Sequence, residues 1–480
     1  MQFPAVSAPA LVVDLDGTLL RSDLLVESAV LFLREHPLRF WMPFFWLAQG
    51  KARLKQRLAQ ATQIDVPSLP FSPDVLTRIQ EARNGGRPVV LATASDRKLA
   101  EEVAAHLGVF DAVLASDGQQ NLSAERKRDA LLSRFGEGGF DYVGNARDDL
   151  PILAVARKGV LLDPSAGVQR RASRLETPIE VLKSARDGGG SAWLEALRLH
   201  QWLKNLLIFV PLLAAHQITE PLLLWNGVLA FVLFGLCASS VYLLNDLFDL
   251  PEDRQHPVKR ARPFASGRLS VKAGLLMVPV LLLAAFVGAF LLLPLEFGVI
   301  LAGYYGLTLA YSLDLKRRVL VDVMTLAALY TIRVIAGGAA FGLGLTFWVL
   351  AFSMFMFLSL AMVKRYAELH AATERGRLGQ TPGRGYRPSD MGIVAILGAV
   401  SGYLAVLVLA LYIHDEGTVH LYTYPEIIWL AVPLLLFWIS RVWMLAHRGQ
   451  MIEDPLLFAV RDRVSLVVGF LFALVFWSAV

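Results

Sequence analysis

Between Tyr242 and Gly267 the chain reads YLLNDLFDLPEDRQHPVKRARPFASG, and its polar residues are spaced for chemistry. Asn245, Asp249 and Asp253 recur at every fourth position, and Asp246 precedes Asp249 by three. Residues three and four apart share one helix face. A helix that continues through Pro251 with no more than a kink therefore brings these groups together at its end. Clustered carboxylates repel one another unless a cation sits among them. Hard oxygen ligands that leave room for phosphate oxygens suit Mg²⁺. Arg254, His256, Lys259, Arg260 and Arg262 follow, and their side chains suit phosphate oxygens directly. Acids first and bases second, at the end of an apolar helix, predict a site for a Mg-diphosphate. A solvated basic loop that only orients a membrane protein explains the Lys and Arg residues, but not the spacing of the acids.

A second set of chemical residues lies near the start. The apolar strand Ala10-Leu11-Val12-Val13 ends in Asp14-Leu15-Asp16-Gly17-Thr18. Two acids beside a tight turn can divide a phosphoryl transfer: one carboxylate attacks phosphorus and the other handles the leaving group's proton. A second predicted strand, 88–92, ends at Thr93-Ala94-Ser95, where a hydroxyl can hold a phosphoryl oxygen. Lys127 opens a predicted helix and can offset phosphate charge. A third strand, 140–143, ends in Gly144-Asn145-Ala146-Arg147-Asp148-Asp149, whose acids could hold Mg²⁺.

Two kinds of element must position these groups. The 480 residues are 55% hydrophobic with a net charge of +5, too apolar for a soluble chain of this length. Residues 1–183 read as an α/β domain, 184–194 as a flexible Gly-rich linker, and 195–480 as an all-α membrane domain. Apolar runs near 205–216, 222–246, 273–293, 295–312, 319–341, 345–363, 390–413, 425–445 and 462–479 predict nine transmembrane helices. The segments 247–272, 313–318, 364–388 and 446–463 are basic, and 414–424 is not. The positive-inside rule then places the N-terminal domain and these basic loops in the cytoplasm and Val480 outside, in a plasma (bacterial inner) membrane. The start lacks a basic n-region, so no secretory leader is expected. Cys237 is the one cysteine, which rules out an internal disulfide framework. No basic-aromatic patch points to nucleic acid.

Within residues 22–85 the run Phe40-Trp41-Met42-Pro43-Phe44-Phe45-Trp46-Leu47 lies between Arg39 and the basic KARLK of 51–55. It is too short to span a bilayer and suits either an interfacial helix or a buried face. Farther on, the YSLDLKRR segment, with Lys316, leads into a helix carrying Asp322 and Arg333. Intramembrane charges usually line a site or pair. Arg318 is spaced to pair with Asp322, and Lys364 with Glu368. Asp322 and Arg333 are too far apart along one helix to meet, so partners on other helices are expected.

The stretches DLDGT, LATAS, the Lys127 helix and GNARDD, in that order, resemble the haloacid dehalogenase (HAD) superfamily of phosphatases over residues 8–180. The resemblance implies a Rossmannoid domain with a helical cap at about 22–85. Asp14 is then the nucleophile, Asp16 the acid/base, Thr93 and Lys127 the phosphate anchors, and Asp14, Asp16 and Asp149 the Mg²⁺ site. Asn145 stands where the superfamily usually has an acid. A scaffolding or regulatory HAD domain is the alternative.

NDLFDLPEDR, RPFASG and the pattern of apolar helices resemble the UbiA superfamily of intramembrane prenyltransferases over 195–480. Most members hold two Mg²⁺ on two aspartate-rich motifs; here the second motif's acids are replaced by Lys364 and Glu368. LHQWLKN, DRQHPVKRARP, YSLDLKRRVLVDV and KRYAEL are similar to a branch that uses 5-phosphoribosyl-1-pyrophosphate (PRPP) as donor and decaprenyl phosphate as acceptor. That resemblance implies that Asn245, Asp246, Asp249 and Asp253 hold Mg-pyrophosphate, with Asp249 and Asp253 catalytic. Lys259, Arg262, Lys316 and Lys364 hold phosphates, Lys204 and Arg333 meet the lipid phosphate, and Asp322, Tyr366 and Glu368 belong to the substrate site. The HAD domain would then dephosphorylate the product to polyprenyl phosphoribose, a precursor of activated arabinose or ribose donors for cell-wall synthesis. A prenyl-diphosphate:aromatic prenyltransferase and a non-catalytic membrane scaffold or transporter are the competing readings. The expected partners are PRPP, a polyprenyl phosphate lipid, the membrane and a second copy of the chain.

Overall fold

The computed structural model describes residues 8–183, 189–374, 384–415, 422–451 and 454–480. Parts of the expected linker (184–188) and of the loops at 364–388, 414–424 and 446–463 lie outside the described residues. The chain divides into two compact units. The first joins residues 1–197 to 242–278, and the second joins 198–241 to 279–480.

In the first unit six parallel strands form one sheet: β1 (Ala10–Val13), β2 (Val89–Asp96), β3 (Ala112–Ser116), β4 (Phe140–Gly144), β5 (Lys158–Leu162) and β6 (Ile179–Leu182). Their order is β3-β2-β1-β4-β5-β6. Val13 is in register with Leu91 of β2 and with Val143 of β4. All four β1 residues are buried, as a strand covered on both faces requires. Alternate residues divide between the two faces. Leu11, Val13, Val89 and Leu91 join one core, and Ala10, Val12, Val90 and Phe140 the other.

Strand order reverses at β1, with β2 on one side and β4 on the other. The crevice beyond the carboxyl ends of such strands is where ligands bind in open α/β sheets. Gly17 lies just beyond β1 with φ +76°, and a Cβ there would collide with the Asn145 side chain. Glycine therefore serves both the turn and the close approach.

The cap segment is helical as expected, with α1 (Leu24–Glu35), α2 (Met42–Ala48) and α3 (Lys51–Ala61). The Asp23 carboxylate caps α1 by accepting from the Leu25 and Val26 N–H groups at 2.9 and 3.2 Å. Phe32, Trp46, Leu54 and Leu58 make a small core of their own. The helix α4 (Pro73–Asn84) returns the chain to β2; α5 (Arg97–Leu107) and α6 (Ala124–Phe135) cross between later strands. Gly190–Leu197 is helical, whereas the linker was expected to run through 194.

The long apolar helices are α7 (Pro221–Phe248), which is followed by the short α8 (Leu250–Gln255), then α9 (Val271–Leu292), α10 (Leu295–Leu313), α11 (Val321–Phe341), α12 (Phe347–Glu374), α13 (Met391–His414), α14 (Ala431–His447) and, after the short α15 (Pro455–Arg461), α16 (Arg463–Ala479). Among the described residues, six helical segments are long and apolar enough to cross a membrane: those containing α7, α9, α11, α12, α13 and α14. The other three expected spans are α10, with 19 residues, the broken helix 199–214, and α16; the last two are shorter apolar helices. Pro211 falls near the break between 199–209 and 210–214, and it has no N–H to give a continuous helix. In the second unit Val323, Tyr330, Leu360, Ala405 and Ile439 share one core drawn from α11 to α14.

Candidate active sites

The sheet topology brings the acids of the first unit together. Asp14 is buried and accepts from Lys127 Nζ at 2.7 Å and from Thr18 Oγ1 at 3.2 Å. Asp16 accepts from the Leu24 N–H at 2.9 Å and from the Ser95 hydroxyl at 2.5 Å. Burial, opposed by Lys127, pushes the Asp14 carboxyl up to about 6. Burial, reinforced by the Asp23 charge, pushes Asp16 up to about 7. A carboxyl near 7 can both give and take a proton at neutral pH. Thr93 is fully buried on β2, and its hydroxyl accepts from the Ser95 N–H at 3.0 Å.

Asp149 differs from the expectation. Its Oδ2 accepts the N–H groups of Asn145 and Ala146 at 2.9 Å, and its Oδ1 accepts the Tyr142 hydroxyl at 2.6 Å. Lys127 donates to that hydroxyl at 3.0 Å and lies 3.7 Å from Asp149. Asp149 therefore ties down the loop after β4 and balances Lys127, where a metal ligand was expected. Asn145 Oδ1 is buried with no hydrogen-bond partner. A neutral oxygen beside the Asp14 turn, left without a donor, fits Mg²⁺, which favours oxygen ligands and keeps part of its water. Asp14 and Asn145 fit the ion better than Asp149 does. Tyr142 and Ser95 complete this network, and neither was assigned a role from sequence. An O–H residue inside a buried strand carries no periodic signal of its own.

The acidic stretch also belongs to the first unit. α7 ends at Phe248 and Pro251 sits in the first turn of α8, yet the four-residue ladder persists. The Asp249 N–H donates to the Asn245 carbonyl at 2.9 Å, and the Asp253 N–H to the Asp249 carbonyl at 2.8 Å. Asp246 and Asp253 are buried and bridged by one guanidinium, that of Arg262, at 3.1 and 2.6 Å. Lys259 stands 3.9 Å from Asp253. Burial raises the Asp253 carboxyl, against the charges of Arg262 and Lys259. Among the described residues, no three His, Cys, Asp or Glu side chains converge as a metal site. The Arg262 cation supplies the positive charge that these two acids call for, and their carboxylate oxygens are donors of the kind that Mg²⁺ takes. Arg254 is committed elsewhere. It makes a bidentate pair with Glu27 of α1 at 2.9 and 2.6 Å, both side chains buried.

In the second unit Lys204 and Lys364 meet on one carboxylate. Asp454 Oδ2 lies 2.8 Å from Lys204 Nζ and 3.2 Å from Lys364 Nζ, and accepts the Tyr330 hydroxyl at 3.1 Å. Asp454 also caps α15 through the Leu456 N–H at 3.2 Å. Burial works to raise its pKa, but Lys364 and Lys204 outweigh burial and hold the carboxyl well below the usual range. Asp454 is not among the residues that the sequence singles out. Its one signal is Asp-Pro before a short apolar run, an ordinary N-cap.

The remaining expected residues of the second unit have partners of their own. Arg333 is buried; its guanidinium donates to Asn205 Oδ1 and the Tyr304 hydroxyl, each at 3.1 Å, and lies 4.9 Å from the Tyr304 ring centroid. Asp322 is fully buried between Arg365 at 2.6 Å, Arg384 at 3.1 Å and the Tyr311 hydroxyl at 2.8 Å. Both thus take partners from other segments, as expected. The local pairs that the spacing allows do not form. Arg318 pairs with Asp314 at 2.7 Å, and Lys364 takes Asp454 while Glu368 pairs with Arg365. The Tyr366 hydroxyl meets His447 Nδ1 at 3.0 Å, and Lys316 lies in the turn 315–317.

Comparison with known proteins gives these arrangements a lineage. Residues 206–461 match the UbiA prenyltransferase family, and residues 44–154 match the haloacid dehalogenase-like hydrolases. An uncharacterized protein y4nM of Sinorhizobium fredii is 36% identical over 98% of this chain and 90% of its own length. A decaprenyl-phosphate phosphoribosyltransferase of Mycobacterium tuberculosis is 32% identical over 56% of this chain and 88% of its own. Among solved structures, a UbiA homolog from Archaeoglobus fulgidus bound to DMAPP and Mg²⁺ covers 60% of this chain and 98% of its own at 16% identity, with a TM-score of 0.46. The chain is a multi-pass membrane protein of the UbiA prenyltransferase family with a HAD-like domain at its N-terminus.

Proposed function

We propose that the chain transfers 5-phosphoribosyl from PRPP to a polyprenyl phosphate, decaprenyl phosphate being the type acceptor, and then removes the 5-phosphate. The observation that carries the reading is the pairing of Lys204 and Lys364 on the single carboxylate Asp454. Two lysines on one acid leave a net positive centre inside an apolar domain, which suits a lipid phosphate. The relative named as a decaprenyl-phosphate phosphoribosyltransferase supports the same choice.

In the transfer, an oxygen of the lipid phosphate attacks the anomeric carbon, the bond from that carbon to the pyrophosphate oxygen breaks, and pyrophosphate leaves. Lys204 and Lys364 orient the nucleophilic phosphate. Asn245, Asp246, Asp249 and Asp253 would hold Mg²⁺, which when bound neutralises charge developing on pyrophosphate. Arg262 and Lys259, already beside Asp253, move to the leaving phosphates, and Lys316 adds a further cation.

In the second reaction Asp14 attacks the 5-phosphorus and Asp16 gives a proton to the departing ribose oxygen. Asp16 then takes a proton from water as that water attacks the phosphoaspartate, releasing phosphate. Lys127 and Thr93 hold the phosphoryl group. Mg²⁺ held by Asp14 and Asn145 would offset its charge when bound. On this reading the HAD domain and the basic loops lie in the cytoplasm, where PRPP is soluble, and the chain crosses the membrane nine times.

The test is incubation of purified protein in detergent with Mg²⁺, ribose-labelled PRPP and decaprenyl phosphate. Label moving into the lipid fraction with release of pyrophosphate is expected. No consumption of PRPP, with prenyl transfer from a prenyl diphosphate to a hydroxybenzoate instead, overturns the assignment.

A further inference from the structure

The aromatic run of the cap divides sharply on folding. Trp46 is buried in the cap's core with Phe32, Leu54 and Leu58. Leu38, Phe40, Trp41, Phe44, Phe45 and Leu47 are exposed, Leu38 to 89% and Phe44 to 71%. Six large exposed apolar side chains within ten residues are a concentration of the kind that marks an interaction site. Arg39, Lys51 and Arg53 flank it and are exposed as well.

The unit that carries the patch also contains the ends of two apolar helices. It holds the last residues of the apolar helix α7 and the first turns of α9, Val271–Val278. The cap is tied to the segment between them by Glu27–Arg254, by Arg34–Glu252, and by Gln255 donating to Asp65 at 2.8 Å. Glu252 is four residues past the end of α7, and Leu38 is four residues past Arg34. Each step is at most about 14 Å of extended chain. The patch is thus tied to the segment that directly follows the apolar helix α7, and its cations match the sign of an anionic lipid surface.

We infer that the stretch Leu38–Leu47 is a membrane-docking surface, in which the exposed aromatic and leucine side chains enter the interfacial layer of the bilayer and Arg39, Lys51 and Arg53 meet anionic headgroups. The occupant is the lipid in which the same chain is embedded. The inference rests on the exposed patch and on membership of a membrane family, and is independent of which group the enzyme transfers.

The test uses the full chain with Cys237→Ser, spin-labelled at Phe44→Cys or at Leu38→Cys, in nanodiscs of phosphatidylcholine with phosphatidylglycerol. A label at Gln80→Cys, an exposed site on α4, is the aqueous reference. Docking predicts that the ratio of collision with oxygen to collision with a water-soluble nickel complex rises at least roughly threefold at 38 and 44 over the reference. It also predicts that the ratio falls when Arg39, Lys51 and Arg53 are changed to Gln. An aqueous ratio at both positions overturns the inference. So does dipolar broadening between labels, which would give the patch to a second copy, or a nickel-shielded label that persists unchanged in detergent with a co-purified soluble protein.

Discussion

The acidic centre of the HAD-like domain and the lysine centre of the membrane unit are opposites in charge. In the first, one cation serves several acids: Lys127 lies 2.7 Å from Asp14 and 3.7 Å from Asp149, with Asp16 close in sequence. In the second, one acid serves two cations, Lys204 and Lys364 on Asp454. Lys127, Asp14 and Asp149 are buried, whereas the Lys364 side chain is 28% exposed, so water screens the second excess more than the first. An acid-rich buried centre calls for a metal ion or a proton and supplies a nucleophile. A base-rich one calls for an anion and holds it. On the proposed function, the sign of the residual charge, more than the identity of any single residue, is what suits one site to breaking a phosphate ester and the other to holding a phosphate as nucleophile.

The contrast can be broken at either centre. Lys127→Met leaves Asp14 and Asp149 without their shared cation. Hydrolysis of a soluble phosphomonoester by the full chain should fall roughly a thousandfold in kcat/KM, with the transfer reaction unchanged. Lys364→Glu reverses the excess in the membrane unit. It should lower kcat/KM for the lipid phosphate about a hundredfold and leave the soluble hydrolysis as it was. Equal losses in both activities after either change would mean that the residues support folding and not the separate sites. The smallest effect is expected for Asp454→Asn, which increases the positive excess. The KM for lipid phosphate should hold or fall within about tenfold, while thermal stability drops as the two lysines lose their counter-charge. A rise in KM of about tenfold would show that Asp454 itself positions the lipid.

The HAD-like centre is largely legible in the sequence because its residues sit at strand ends, where motif order maps onto topology. Asp14, Asp16, Thr93 and Lys127 fall where four short motifs predict. Asp149 is in the expected place and also ties down the loop through the N–H groups of Asn145 and Ala146, a task that the sequence does not show. In the membrane unit, Lys204 and Lys364 are recognisable as costly charges near apolar helices. Their meeting on Asp454 is not, since the contact joins segments 90 and 250 residues apart in sequence. For the same reason the sequence shows Arg365 only as part of a motif, with no sign that it is exposed to just 1% and paired with Asp322. Helix periodicity predicts neighbours along one helix; it prefers Arg318 for Asp322 and Glu368 for Lys364, and tertiary packing chooses otherwise. The cap's aromatic run is equally undecided in sequence, because a buried face and an interfacial one share a composition. The structure divides it, with Trp46 inside and its neighbours outside.

On the proposed function, two centres of opposite charge act in sequence on one lipid. The most direct test is mass spectrometry of the lipid product from wild type and Asp14→Asn, each given Mg²⁺, PRPP and decaprenyl phosphate. The account predicts polyprenyl phosphoribose from wild type and the 5-phosphate, heavier by one phosphate group, from Asp14→Asn at an undiminished rate of transfer. If wild type and Asp14→Asn both stop at the 5-phosphate, the HAD-like centre does not act on this lipid and the sequential account is wrong.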